Sequence, residues 1–340
     1  MANKEQRDFM MYGLVIAGLI LLLIGGDLLV RGAVALASHY GLPPLIIGLT
    51  VVAFGTSAPE LMISLQSAMA GAPGIAVGNV VGSNIANVLL VLGVPAIIAP
   101  ILCNQSGVRR NTLMMVGATL VFILFANSGE FSRGNGIIMT LMLAGFLAYS
   151  GHRAMQGSGA DASLEEVEGI PDSKAKTIGY IVGGIIGLPL GADLMVRGAT
   201  DIAAAYHVSD AVIGLTIVAL GTSLPELATT VVAAIRGRSD VAIGNVIGSN
   251  MFNILAILGI TAIVIPLPVP PNFLNFDLWI LLGVTCILVP VALFHVAISR
   301  VMGILFVAAY LIYIVTVVAQ GEASASFVTP PVMPTTAEIR

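Results

Sequence analysis

Apolar stretches long enough to cross a bilayer alternate with short polar turns along almost the whole chain. A spanning helix needs about 20 predominantly apolar residues. On that measure the pattern predicts ten spans, roughly 10–37, 43–70, 75–100, 111–126, 132–152, 177–203, 209–236, 240–265, 274–296 and 300–319. Turns are expected at His39–Pro44, at Gly71-Ala72-Pro73-Gly74, in a loop marked by Arg109 and Arg110, and at Pro266–Pro271. Residues 153–176 are the one long polar segment, with Asp161, Glu165, Glu166, Glu168, Asp172, Lys174 and Lys176. This segment lacks the alternating oxygen pattern of a calcium loop and reads as a solvated linker between halves 1–152 and 177–320. Residues 321–340 are expected to form a polar tail without order. The fold class is an all-α polytopic membrane protein.

Composition agrees with the pattern. Of 340 residues, 57% are hydrophobic and 9% charged, where a soluble domain carries about a quarter charged residues. The 38 glycines and 17 prolines suit membrane helices and need no disorder to explain them. A net charge of −4 without a basic patch gives no sign of nucleic-acid binding. Cys103 and Cys286 have no metal-ligand spacing and are expected to be inert thiols. The apolar run 10–24 followed by Ala35-Leu36-Ala37 could pass for a cleaved signal. Its neighbour Gly25-Gly26-Asp27-Leu28-Leu29-Val30-Arg31-Gly32-Ala33 has a counterpart at 191–199, so the segment reads as structural. Within it, Asp27 and Arg31 are four apart, placed to pair on one helix face as an interfacial anchor.

The chain is a duplication. Gly48–Gly93 lies over Gly214–Gly259 without gaps at an offset of 166, with roughly half the positions identical. Five spans per half is odd, so the halves must enter the membrane from opposite sides, an inverted repeat with its site near the midplane. If the N-terminus is outside, nine Lys and Arg fall inside and five outside, which favours N-terminus out, linker cytoplasmic and C-terminus out.

The most constrained stretch is Gly55-Thr56-Ser57-Ala58-Pro59-Glu60-Leu61, repeated as Gly221-Thr222-Ser223-Leu224-Pro225-Glu226-Leu227. Pro59 and Pro225 should break their helices near Gly55 and Gly221 and free carbonyls around Ala53 and Ala219. Glu60 and Glu226 are the only acids near the middle of any predicted span. Two carboxylates brought together in hydrocarbon repel unless a cation lies between them. Thr56 and Thr222 lie one turn before the glutamates, and Ser83, Asn87, Ser249 and Asn253 add oxygens from the third and eighth spans. An oxygen-only set suits Ca²⁺ or an alkali ion rather than zinc or copper, and all four histidines (39, 152, 207 and 295) sit at span ends or in loops. Asn79, Asn84, Asn245 and Asn250 read as interhelical hydrogen-bonding residues, Gly78/Gly82 and Gly244/Gly248 as packing devices, and Ser57 and Ser223 as possible helix caps. A passive channel could use the same oxygens. An intramembrane enzyme is disfavoured, because Gly-x-Ser-x-Gly and His-Glu-x-x-His are both absent.

Gly-Thr-Ser-x-Pro-Glu-Leu followed by Gly-Asn-x-x-Gly-Ser-Asn-x-x-Asn, present twice, resembles the two α-repeats of the cation/calcium exchanger superfamily, and most of all the compact prokaryotic sodium/calcium exchangers. The resemblance implies ten helices, four clustered ion sites and an antiporter that extrudes Ca²⁺ against Na⁺ by alternating access. Spans one and six would slide across the core. It assigns Glu60, Glu226, Thr56 and Thr222 to Ca²⁺. To Na⁺ it assigns Ser57, Ser223, Ser83, Ser249, Asn87 and the carbonyls of Ala53 and Ala219. Asn253 stands where some members carry aspartate associated with potassium dependence, so two formal charges remain, matched by one Ca²⁺. Exchange of one Ca²⁺ for two H⁺ stays open. No cofactor is implied, the partners are the ions and the lipid bilayer, and the expected working unit is a monomer.

Overall fold

The computed structural model describes residues 4–156, 171, 173–206, 219–269 and 273–326, and the predicted spans are mostly helical where they fall on them. Helix α1 (Lys4–Tyr40) turns at Gly41, whose φ of 61° suits a residue without a Cβ. Helices α2 (Pro44–Thr56) and α3 (Ala58–Met69) meet at a 44° bend. After them come α4 (Pro73–Ile98), α5 (Val108–Ala126) and α6 (Arg133–Gln156). The order then recurs in α7 (Lys174–Ala205), α8 (Ala219–Thr222), α9 (Leu224–Ile235) and α10 (Ser239–Val264). A π-helical turn at Phe273–Asp277 leads into α11 (Leu278–Leu293), and α12 (Arg300–Ser326) follows. Among the described residues, seven helices are long and apolar enough to cross a membrane, or eight with the bent pair α2–α3 taken as one span. α9 and α11 are shorter apolar helices, and residues 207–218, the start of the predicted seventh span, lie outside the described set.

The breaks fall near Gly55 and within Gly221–Pro225, at Ser57 and Ser223. Proline is tolerated in the first turn of a helix, so a new helix starts just ahead of Pro59 and Pro225 and the preceding serine becomes its first flanking residue. Several expectations need correction. Arg109 and Arg110 lie in the first turn of α5 rather than in a loop, and Arg110 stacks its guanidinium 5.2 Å from the Tyr149 ring centre. The ends of the 153–176 segment are helical as far as Gln156 and from Lys174, and its acidic residues 161–168 and 172 lie outside the described residues. Helix α12 continues through 321–326, where the polar tail was expected to begin. The molecule is also not purely helical. Strand β1 (Glu130–Phe131) pairs antiparallel with β2 (Leu267–Pro268), and Ile101 bridges Ile298.

The motif-bearing helices form the centre. In α4 and α10, 72% and 89% of the most apolar stretch is buried, against 22% in α7 and 17% in α12, so the latter two lie at the periphery. Exposed Leu311, Ile312 and Val315 on α12 follow from that position.

Helices α1 and α7 pack through glycines seven residues apart: Gly18, Gly25 and Gly32 on one, Gly184, Gly191 and Gly198 on the other. A Cβ at Gly18 would lie 2.7 Å from the Gly191 carbonyl, and one at Gly184 would lie 2.8 Å from that of Gly25. Backbones approach this closely only where no side chain stands between them. Gly244 and Gly248 do the same on α10, facing the Leu45 and Leu49 carbonyls of α2 at 2.7 and 2.6 Å. At the corresponding positions of the first repeat, Gly78 meets the Phe273 ring and Gly82 meets nothing within 4 Å among the described residues. At the repeat offset, the backbone they would face falls within 207–218.

Asp27 pairs with Arg31 at 2.8 Å as expected, and also with Arg236, which begins the turn after α9. This ties α1 to α9 where Gly26 packs on the Ala228 carbonyl. The equivalent pair Asp193–Arg197 is exposed, and the position matching Arg236 is Ala70. The cysteines are unpaired. Cys103 is buried on the connection between α4 and α5, where burial pushes its thiol up to about 11, and Cys286 is exposed on α11.

Candidate ion-binding site

Both breaks deliver a glutamate into the first turn of a fresh helix, Glu60 in α3 and Glu226 in α9. The unpaired amides and dipole of a helix start favour negative charge there. Both side chains are buried, at 1% and 0% exposure. The Ser57 hydroxyl, from the other repeat, donates to Glu226 Oε1 at 2.9 Å. The two motifs therefore meet in space.

One asparagine holds each glutamate turn in place. Asn79 on α4 donates to the Glu60 carbonyl at 3.3 Å and to Ser64 Oγ at 3.0 Å. Asn245 on α10 donates to the Glu226 carbonyl at 3.4 Å and to Thr230 Oγ1 at 3.0 Å. These are the bonds of an interhelical fastener, and every member sits 166 residues from its counterpart. Ser64 and Thr230, four residues after each glutamate, were missed in the sequence. A hydroxyl kept at the same offset in both copies is the signal that would have found them.

The hydroxyls near the breaks differ from expectation. Neither Ser57 nor Ser223 makes a side-chain cap bond, although both stand at helix starts. Ser57 is occupied by Glu226, while Ser223 Oγ is buried without a partner. Fully buried Thr56 donates toward the Ala53 carbonyl at 3.3 Å and Asn245 Oδ1 at 3.4 Å, and Thr222 is half-buried. The Ala53 carbonyl is not freed by the break, because the Ser57 amide also bonds it at 3.0 Å. The carbonyl that loses its donor is that of Gly55, since Pro59 has no N–H, and Gly221 stands likewise before Pro225. In the second repeat the Ser223 amide bonds the Leu220 carbonyl at 3.0 Å.

Asn87 and Asn253 each open a π-helical turn, Asn87–Val91 and Asn253–Ile257, again at the repeat offset. Such turns interrupt the regular hydrogen-bond ladder and recur at functional sites. Asn87 Nδ2 donates to Asn250 Oδ1 at 3.1 Å, and Asn84 Nδ2 donates to the Val80 carbonyl at 2.7 Å. Ser83 and Ser249 are buried one turn earlier on the same helices.

Buried polar atoms normally find partners. Here Glu60 Oε2, Glu226 Oε2, Asn84 Oδ1, Asn87 Oδ1, Ser223 Oγ, Ser249 Oγ and both amide atoms of Asn253 have none among the described residues. Apart from the Asn253 nitrogen these are all oxygens, and all come from the two repeated segments. Among the described residues, no group of three His, Cys, Asp or Glu side chains is placed to hold a metal. A cation here must draw on two carboxylates, hydroxyls, amide oxygens and backbone, which is the donor set of a hard ion.

Comparison with known proteins agrees with this chemistry. The family model described as sodium/calcium exchanger protein matches residues 10–151 and 176–319. The putative antiporter CaxA of Alkalimonas amylolytica is 40% identical over 258 residues, covering 74% of this chain and 80% of its own length. The sodium/calcium exchanger MaX1 of Methanosarcina acetivorans is 33% identical over 302 residues, covering 77% of this chain and 85% of its own. A structure of the sodium-calcium exchanger NCX_Mj, soaked with zero Na⁺ and Ca²⁺, superposes with a TM-score of 0.79 at 34% identity. That match covers 90% of this chain and 98% of NCX_Mj.

Proposed function

The chain belongs to the sodium/calcium exchanger protein family, and from that premise we propose that it extrudes Ca²⁺ in exchange for Na⁺ by alternating access to one central site. The observation that carries this reading is the set of buried, unpartnered oxygens contributed by both repeats around Glu60 and Glu226. Glu60, Glu226, Thr56 and Thr222 hold Ca²⁺. Ser57, Ser223, Ser83, Ser249, Asn87 and Asn253, with the Ala219 carbonyl, serve Na⁺. The Ala53 carbonyl joins them only when Thr56 turns its hydroxyl away. Ten spans form two inverted halves, with breaks at Ser57 and Ser223. The N- and C-termini are outside and the linker is cytoplasmic.

The mechanism follows from charge. Two ionised carboxylates cannot cross a dry barrier, while one Ca²⁺ or a set of Na⁺ cancels them. The carrier therefore changes face only when loaded, and inward flow of Na⁺ drives Ca²⁺ out. The α1–α7 pair, joined backbone to backbone, moves as one body over the fixed core. A single chain contains the whole site.

The test is radioactive calcium uptake into liposomes loaded with Na⁺ and diluted into Na⁺-free buffer, beside a set carrying only a pH gradient. Uptake driven by Na⁺, and lost in Glu60→Gln and in Glu226→Gln, is the expected result. Uptake driven by the pH gradient alone would instead assign proton exchange at the same site. Uptake with neither gradient dependence would indicate a channel.

A further inference from the structure

The two halves of the site are not equivalent, and the difference lies outside the repeated motif. Asn250 Nδ2 donates to the thioether sulfur of Met115 on α5 at 3.5 Å, and its Oδ1 accepts from Asn87 Nδ2 at 3.1 Å. All three side chains are buried, at 0–1% exposure. A thioether can accept a hydrogen bond and cannot donate one. Met115 therefore decides which end of the Asn250 amide faces it, Asn250 decides which end of the Asn87 amide faces it, and the free end of Asn87 is the oxygen. That oxygen is one of the unpartnered atoms of the site.

At the repeat offset, Met115 corresponds to Leu281 on α11, a buried side chain with no acceptor. Helix α11 packs against α4 as α5 packs against α10. With no acceptor there, Asn84, the counterpart of Asn250, turns its amide onto its own helix at the Val80 carbonyl. Asn253, the counterpart of Asn87, is left with neither amide atom bonded. One asparagine of the pair is oriented and the other is not.

We propose that Met115 is a positioning residue for ion selectivity: through Asn250 it fixes Asn87 with oxygen toward the cations, while Asn253 stays free to turn. A cation is attracted by the amide oxygen and repelled by the amide N–H₂, so losing the relay weakens whichever ion uses Asn87. The inference rests on the ion-site reading above, in which Asn87 serves Na⁺ and the carboxylates serve Ca²⁺.

The test is thermal unfolding of the purified protein titrated with Na⁺ or with Ca²⁺, since an ion that binds only the folded state raises its melting temperature. Met115→Leu nearly conserves volume and removes the acceptor, and Met115→Gln supplies a stronger one. The expected result is an ion-free melting temperature slightly lowered in Met115→Leu, because the buried Asn250 amide loses its acceptor, and a half-saturating Na⁺ concentration raised about three- to tenfold, the net worth of one hydrogen bond. The half-saturating Ca²⁺ should move less than about twofold, and Met115→Gln should restore the Na⁺ value. Equal Na⁺ responses in the parent and Met115→Leu would overturn the relay. So would a matched loss for both ions that Met115→Gln does not recover, because that marks a packing role. A parent protein stabilised by neither ion would overturn the ion-site reading, and the relay with it.

Discussion

At the scale of single residues, the two serines at the helix breaks show how one motif yields two environments. Ser57 donates to Glu226, whereas Ser223 has no partner. Ser57→Ala should therefore lower the ion-free melting temperature, since a buried carboxylate loses a hydrogen bond worth about 1.5–3 kcal/mol. Ser223→Ala should leave the ion-free value unchanged and weaken the stabilisation that Na⁺ gives. The same unfolding titration reads both. The identities of these residues were legible from the doubled motif, because a carboxylate and hydroxyls within an apolar span are costly unless used. Their differing partners were not. Two copies of one sequence acquire different contacts only when the chain around them differs, and Met115 against Leu281 is such a difference. Likewise, Pro59 signalled a break, but its exact place depended on proline being admitted to the first turn of α3.

At the scale of elements, the glycines of α1 and α7 set how closely two outer helices approach. A Cβ at Gly191 would lie 2.8 Å from the Leu22 amide and 3.0 Å from the Gly18 carbonyl, both backbone atoms. Gly191→Ala is expected to separate the helices and cost about 1–3 kcal/mol, seen as a lowered melting temperature. Gly145→Ala on α6, with open space around it, should be neutral or stabilising. The seven-residue spacing was present in the sequence, but a reading that follows apolar runs passes over glycine as filler. Asp27–Arg31 was legible as a helical pair, whereas Arg236 joins them only through tertiary packing. Arg236→Ala should loosen α1 from α9. In a background without Cys103 and Cys286, a cysteine at Ala228 is expected to react faster with a water-soluble thiol reagent once Arg236 is replaced. Replacing exposed Arg197 should leave that rate unchanged.

At the scale of the molecule, the repeat organises even the connections. The Leu267–Phe131 pair and the Ile101–Ile298 bridge are counterparts to within one residue of the 166 offset. That the chain is a series of apolar helices of membrane-crossing length could be read from hydropathy, because a bilayer imposes one length on every crossing. The two-residue strands could not, since pairing at a loop is decided by what the other half brings near. Under the proposed orientation, a single cysteine at Asn127 should be labelled by an impermeant reagent from outside the cell and one at Lys174 should not, and the reverse pattern would invert the topology. The central claim is that the unpartnered oxygens around Glu60 and Glu226 hold the transported cation. Anomalous diffraction from crystals of this protein soaked in Sr²⁺, a scattering substitute for Ca²⁺, tests it most directly. The account predicts one strong peak between the two carboxylates that weakens as Na⁺ is added. A peak elsewhere, or none at concentrations that support transport, would contradict it.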